Sequence, residues 1–187
     1  IIAAVFWFFL AALLGAEAYG EVSYLIATAT IVAGLSLLGG TETITVYSAK
    51  KIPIQPPIFL ITAIIGAIGS LVIYFILDNI VISFFVMGYV IFNLITASLL
   101  GRKLYKKYAI YFIVQKIVFA ITATLLYFLI DINGIILGYA ISFLVFSGHI
   151  INEFKNTKLD FSLLKPRIKF MAHSYGLTIE KLISGQT

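Results

Sequence analysis

The chain has 187 residues, of which 61% are hydrophobic and 11% charged, with a formal net charge of +5 and a mean hydropathy of +1.09. This excludes an ordinary soluble domain, because a single core of this size cannot enclose so much apolar surface. The absence of cysteine also excludes disulfide frameworks, thiolate metal sites and cysteine nucleophiles.

The first apolar run, IIAAVFWFFLAALL over 1 to 14, is short of the roughly 20 residues a membrane span needs. With no initiator Met and no basic segment of a signal peptide before it, it reads as a severed helix. The second apolar segment covers 22 to 40, in a helix expected to run over 22 to 48. Further segments follow over 58 to 77, 80 to 100, 109 to 130 and 135 to 152. Their lengths suit helices crossing a hydrocarbon core of about 30 Å rather than the roughly ten-residue strands of a barrel. Turn residues punctuate them: Gly15 and Gly20, the Pro53, Pro56 and Pro57 cluster, Asp78 with Asn79, Gly101, and Asp131 with Asn133 and Gly134. The expected fold is therefore an all-α integral membrane protein, a six-helix transmembrane bundle over 1 to 152. A basic connector and the start of a seventh helix follow over 153 to 187.

Charge alternates between the connections. Lys50 and Lys51, then Arg102, Lys103, Lys106 and Lys107, then Lys155, Lys158, Lys165, Arg167 and Lys169 occupy the even ones. The odd ones hold Glu17, Glu21, Asp78 and Asp131 without Lys or Arg. Basic residues near span ends stay in the cytoplasm during insertion, so the even connections are expected inside a multi-pass protein of the cell membrane. They also suit contact with anionic membrane lipids. Loops of a few residues, without aromatics interleaved on a platform, speak against nucleic acid as a partner.

Polar residues inside the spans mark the candidate site, since each needs a partner or a wet cavity. Lys116 lies about seven residues into the segment over 109 to 130, roughly 10 Å deep at helical rise, as a cavity cation or as a lysine snorkelling to the near interface. Gln115 precedes it, and shares a helical face with Tyr108, Tyr111 and Thr122 that reads as one wall of a polar groove. A second set, Tyr139, Ser142 and His149, shares a face of the last segment, and Asn93 stands with Tyr89 and Thr96 in the fourth. Such groups also serve as hydrogen bonds between packed helices. Glu42, among Thr41, Thr43 and Thr45, reads as an interfacial carboxylate near Lys50 or as a proton or cation carrier, and Lys181 beside Glu180 as a local ion pair or a second cavity cation. His149 has no ligand-spaced partner, so neither a metal nor a cofactor is expected. No span holds paired acids, and neither a Ser, His, Asp set in workable order nor a phosphate-cradling glycine loop is present. Enzymatic activity is not expected.

The stretch LGAEAYGEVSYLIATATIVAGLSLLGGTETITVYSAKK resembles the start of polysaccharide flippases in the multidrug/oligosaccharidyl-lipid/polysaccharide exporter superfamily. The likeness rests on Leu14, Gly15, Glu17, Tyr19 and Gly20, on Gly39 and Gly40, and on the polar run from Thr41 to Tyr47. FSLLKPRIKFMAHSYGLTIEKLISGQT is similar to the entry to that family's seventh helix. The resemblance implies a lobe of six helices, paired in the whole protein with a C-terminal lobe that this chain lacks. The two enclose a cavity that opens alternately to each side. It implies as cargo a polyprenyl-linked oligosaccharide, whose pyrophosphate would favour a cation such as Lys116 in the cavity. The nearest rival is a cation-coupled drug antiporter of the same superfamily, which wants acidic residues deep in the spans. A membrane-embedded glycosyl- or phosphotransferase would need clustered acids, or Arg and His, in loops longer than these.

Overall fold

The computed structural model describes residues 2 to 184, with side chains placed for 4 to 155 and 157 to 180. Eight α-helices follow in order: α1 (Ile2–Ser36), α2 (Gly40–Ala49), α3 (Gln55–Leu77), α4 (Ile80–Gly101), α5 (Tyr105–Ile130), α6 (Ile132–Leu144), α7 (Gly148–Asn156) and α8 (Ile168–Ser184). Two 3-10 turns, Phe161–Leu163 and Lys165–Arg167, lead into α8, and no strand occurs among the described residues.

The architecture is all-helical, but the six expected spans reduce to five helical stretches long and apolar enough to cross a membrane. These are Ala4–Ser36, Gln55–Leu77, Ile80–Gly101, Tyr105–Ile130 and Ile132–Lys155. The first two sequence segments fall within α1, broken at Gly15, whose φ of 75° and ψ of 175° belong to a region open essentially to glycine alone. The chain folds back there. Trp7 and Tyr19 meet edge to face at 6.2 Å, whereas twelve residues of continuous helix would hold them about 18 Å apart. Helix resumes at once, so Gly20 lies within it rather than in a loop.

The helix expected over 22 to 48 is likewise two. It stops at Ser36, passes through Leu38 and Gly39 with positive φ, and restarts as α2. Gly39 is pressed against α8, where a Cβ would lie 2.6 Å from the Met171 carbonyl oxygen. The last segment, expected over 135 to 152, divides between α6 and α7 across Val145 to Ser147.

Local chemistry explains the other ends. Pro56 and Pro57 sit in the first turn of α3, where their missing N–H groups have no helical partner to lose. Asp78 ends that helix in the left-handed region, and the Asn79 side chain caps α4 by accepting from the Val81 amide at 3.0 Å. α2 and α4 end alike. Ile52 N–H donates to the Tyr47 carbonyl and Lys51 N–H to Ser48, both at 2.9 Å; Leu104 repeats the first bond to Leu99 and Lys103 the second to Leu100. Both are Schellman caps with a left-handed lysine at φ 59°, its charge favourable at a helix C-terminus.

α4 forms the centre, burying Ile82, Phe85, Val86, Val90, Phe92, Leu94 and Ile95 among α1, α3 and α6. The outer faces are apolar, with Phe75 79% and Leu129 75% exposed. Where lipid surrounds helices there is no water to expel between them, so small residues that allow close approach matter most. Gly138 seats α6 against the Ala123 backbone of α5, and Gly101 seats α4 against Thr45 of α2. Asn79 donates to Asn133 at 2.7 Å, joining the turns at one end of the bundle. The turns carrying Lys51 and Arg102 meet Thr157 at the rim of a shared cavity.

Candidate functional site

Two polar regions lie within this frame. The first is a cavity of about 480 Å³ between α2, α4 and α5, with Thr41, Glu42, Thr45, Asn93, Thr96 and Tyr108 on its walls. The break after Ser36 starts α2 afresh and its helical pitch aims Thr41, Glu42 and Thr45 at α4. Thr45 Oγ1 donates to the Thr41 carbonyl at 2.8 Å and lies 3.3 Å from the Ala97 carbonyl of α4. Thr96 Oγ1 donates to the Phe92 carbonyl at 2.9 Å, and Asn93 Nδ2 to Tyr89 at 2.9 Å. With their donors turned into the helix, the threonines offer hydroxyl lone pairs to whatever enters. The Glu42 carboxylate accepts from Thr41 Oγ1 at 2.8 Å. Leu100 and Tyr108 on the rim flank in sequence the basic turn of Arg102, Lys103, Lys106 and Lys107.

The second region is the seam between α5 and α6. Gln115 is fully buried, its Nε2 donating to Ser142 Oγ at 2.8 Å, and Ser142 Oγ donates to the Tyr139 carbonyl at 2.6 Å. Lys116 Nζ stands 3.3 Å from the Tyr139 hydroxyl and 5.4 Å from its ring centre. That ring is stacked between Phe119 at 4.0 Å and Phe143 at 4.8 Å. Because α5 begins at Tyr105, Lys116 is about 16 Å along it, deeper than the sequence suggests.

The groove wall expected along α5 therefore separates. Tyr108 reaches the cavity, Tyr111 stacks on Phe146 at 4.3 Å, and Gln115 and Thr122 face α6, Thr122 Oγ1 lying 3.0 Å from the Gly138 carbonyl. Of the predicted site residues, Glu42 and Asn93 share the cavity; Gln115, Lys116 and Tyr139 share the seam.

No family model, curated protein or solved structure matches this chain.

His149 belongs to a third group at the basic end. Its Nε2 is 3.5 Å from Glu153 Oε1, close enough to pair when protonated but outside hydrogen-bond geometry. Glu153, 8% exposed, is held at 2.5 Å by Arg102 Nη2. The side chain of Lys181 lies outside the described residues. Among the described residues no three His, Cys, Asp or Glu side chains gather to hold a metal. Glu153 and Arg102, 51 residues apart, are the pair sequence reasoning missed as a site, since no local spacing links them. Gln55 was also missed, although a lone amide heading an apolar helix is a legible signal.

Proposed function

We propose that this chain is the first lobe of a transporter that flips a lipid-linked oligosaccharide across the cell membrane by alternating access, with its basic turns in the cytoplasm. The observation that carries this reading is the open cavity between α2, α4 and α5, where polar groups gather on a bundle whose outer surface is otherwise apolar. Polar groups at membrane depth are costly and mark pathways. Threonine hydroxyls, a carboxamide and a phenol are neutral hydrogen-bonding groups of the kind that sugar hydroxyls pair with. The adjacent cations of the turn over 102 to 107 suit a phosphate head. In this reading the cargo rests on the walls formed by α2 and α4, and Lys116 acts at the α5 and α6 seam.

One observation favours a second reading. Glu42 is the only carboxylate on the cavity walls among the described residues, and an acid there suits a cation-coupled antiporter for small molecules.

The test is flipping of a fluorescent polyprenyl pyrophosphate oligosaccharide by the full-length protein in liposomes. Asn93→Leu is expected to slow it at least about tenfold, the loss of one or two buried hydrogen bonds, while Glu42→Gln leaves it intact. Absence of flipping, together with extrusion of a cationic dye that Glu42→Gln abolishes, decides for the antiporter.

A further inference from the structure

A second cavity, of about 260 Å³, opens at the basic end of the bundle, separate from the chamber lined by Asn93. Ser48, Lys51, Gln55, Arg102 and Thr157 are on its walls. Three distant stretches of chain build it: the Schellman turn that follows α2, the first residue beyond α4, and the extended residue after α7. The left-handed conformation of Lys51 lets the chain double back over Ser48 and deliver Gln55 at the head of α3.

Gln55 is the informative residue. It is 3% exposed, and its Nε2 lies 2.7 Å from Ser48 Oγ while its Oε1 has no partner. That oxygen is sealed from the cavity, so Gln55 acts on the site through Ser48, whose hydroxyl it holds against the wall. The two ends of a carboxamide are interchangeable in outline. Ser48 Oγ donates to no other group among the described residues, so the hydroxyl can equally donate to Oε1. Either orientation keeps Gln55 bonded to Ser48.

Charge decides the class of occupant. Lys51 and Arg102 are both cationic, no carboxylate is on the walls, and Lys51 has no ion pair among the described residues. Glu153 holds one edge of the Arg102 guanidinium from α7, and the five-donor fork of arginine has further N–H groups to offer. The Ser48 and Thr157 hydroxyls, an ammonium and a guanidinium together make a site for a tetrahedral oxyanion. The volume is below the roughly 300 Å³ at which drug-sized pockets begin, which suits a headgroup rather than a whole ligand.

We infer that this cavity binds a phosphate group, either the headgroup of an anionic lipid or free phosphate, and thereby pins the α2–α3 turn to the α4–α5 turn. The inference is independent of the transport reading, since it concerns binding at a different cavity and needs no translocation.

The test is calorimetric titration of the intact protein, in a neutral detergent, with dioctanoyl phosphatidate and separately with inorganic phosphate. Binding of the lipid alone assigns the site to a headgroup, and binding of both with similar affinity assigns it to free phosphate. Lys51→Gln, at an exposed position that does not threaten folding, is expected to weaken binding about tenfold, as loss of one charge-assisted contact does. Gln55→Leu is expected to weaken it as well, and Lys107→Gln, away from the cavity, to leave it unchanged. No binding of either probe by the folded protein overturns the inference. So does equal weakening by Lys107→Gln, which would mean diffuse attraction to the basic surface.

Discussion

Glu153 sits between a guanidinium and an imidazole at the end of a nine-residue helix, with Arg102 at 2.5 Å and His149 at 3.5 Å. Removing one partner of a fully buried pair costs about 3 to 5 kcal/mol. Here the Arg102 side chain is 37% exposed, so water takes over part of the lost interaction and screening lowers the value. Glu153→Gln is therefore expected to destabilise the protein by about 1 to 2 kcal/mol, read as a lower melting temperature in the fluorescence of Trp7, the single tryptophan. A melting temperature equal to that of the parent protein would mean that the pair holds nothing together. At the same scale, the long stem of Lys116 carries its ammonium to the Tyr139 hydroxyl and ring. Its position at the seam follows from the helical register that buries neighbouring Gln115 against Ser142.

The elements depend on conformations at a few glycines. Gly15 and Gly20 both have open space around them, with nothing within 4 Å of a Cβ built on either. Their difference is thus purely one of backbone. Gly15 occupies the glycine-only region that turns the first arm of α1 back on the second, so Gly15→Ala is expected to destabilise by about 1 to 3 kcal/mol. Gly20 lies inside regular helix, where Gly20→Ala is expected to stabilise by up to about 1 kcal/mol. Thermal unfolding of the two variants side by side checks both signs. Similar effects from both would show that Gly15 is not a point of reversal.

Across the whole molecule, the lack of cysteine gives a clean background for mapping sides. Single substitutions Asp78→Cys and Asp131→Cys are expected to react with an impermeant maleimide on intact cells. Lys103→Cys and Lys158→Cys are expected to react only after permeabilisation. Labelling of all four from outside would sink the orientation. The positions of several turns were legible, because turn chemistry is local: Asp78 with Asn79, and Asp131 with Asn133, announce their reversals. The Schellman turns at Lys51 and Lys103 were not, since lysine carries no signature of left-handed backbone. Nor was the break over Val145 to Ser147, which no glycine or proline precedes. The candidate site was half legible. Helical spacing grouped Gln115 with Tyr108, Tyr111 and Thr122 as a groove wall, whereas packing sets Gln115 against Ser142, 27 residues on. The chamber lined by Glu42 and Asn93 joins residues from helices that no sequence spacing relates.

Gly39 touches α8 backbone to backbone, with the Met171 carbonyl and Tyr175 amide both within 2.7 Å of where a Cβ would stand. No compressible side chain cushions that contact. Two residues later begins the wall that carries Thr41, Glu42 and Thr45. The start of α2, and with it that wall, is thus fixed against the backbone of a helix that does not itself line the chamber.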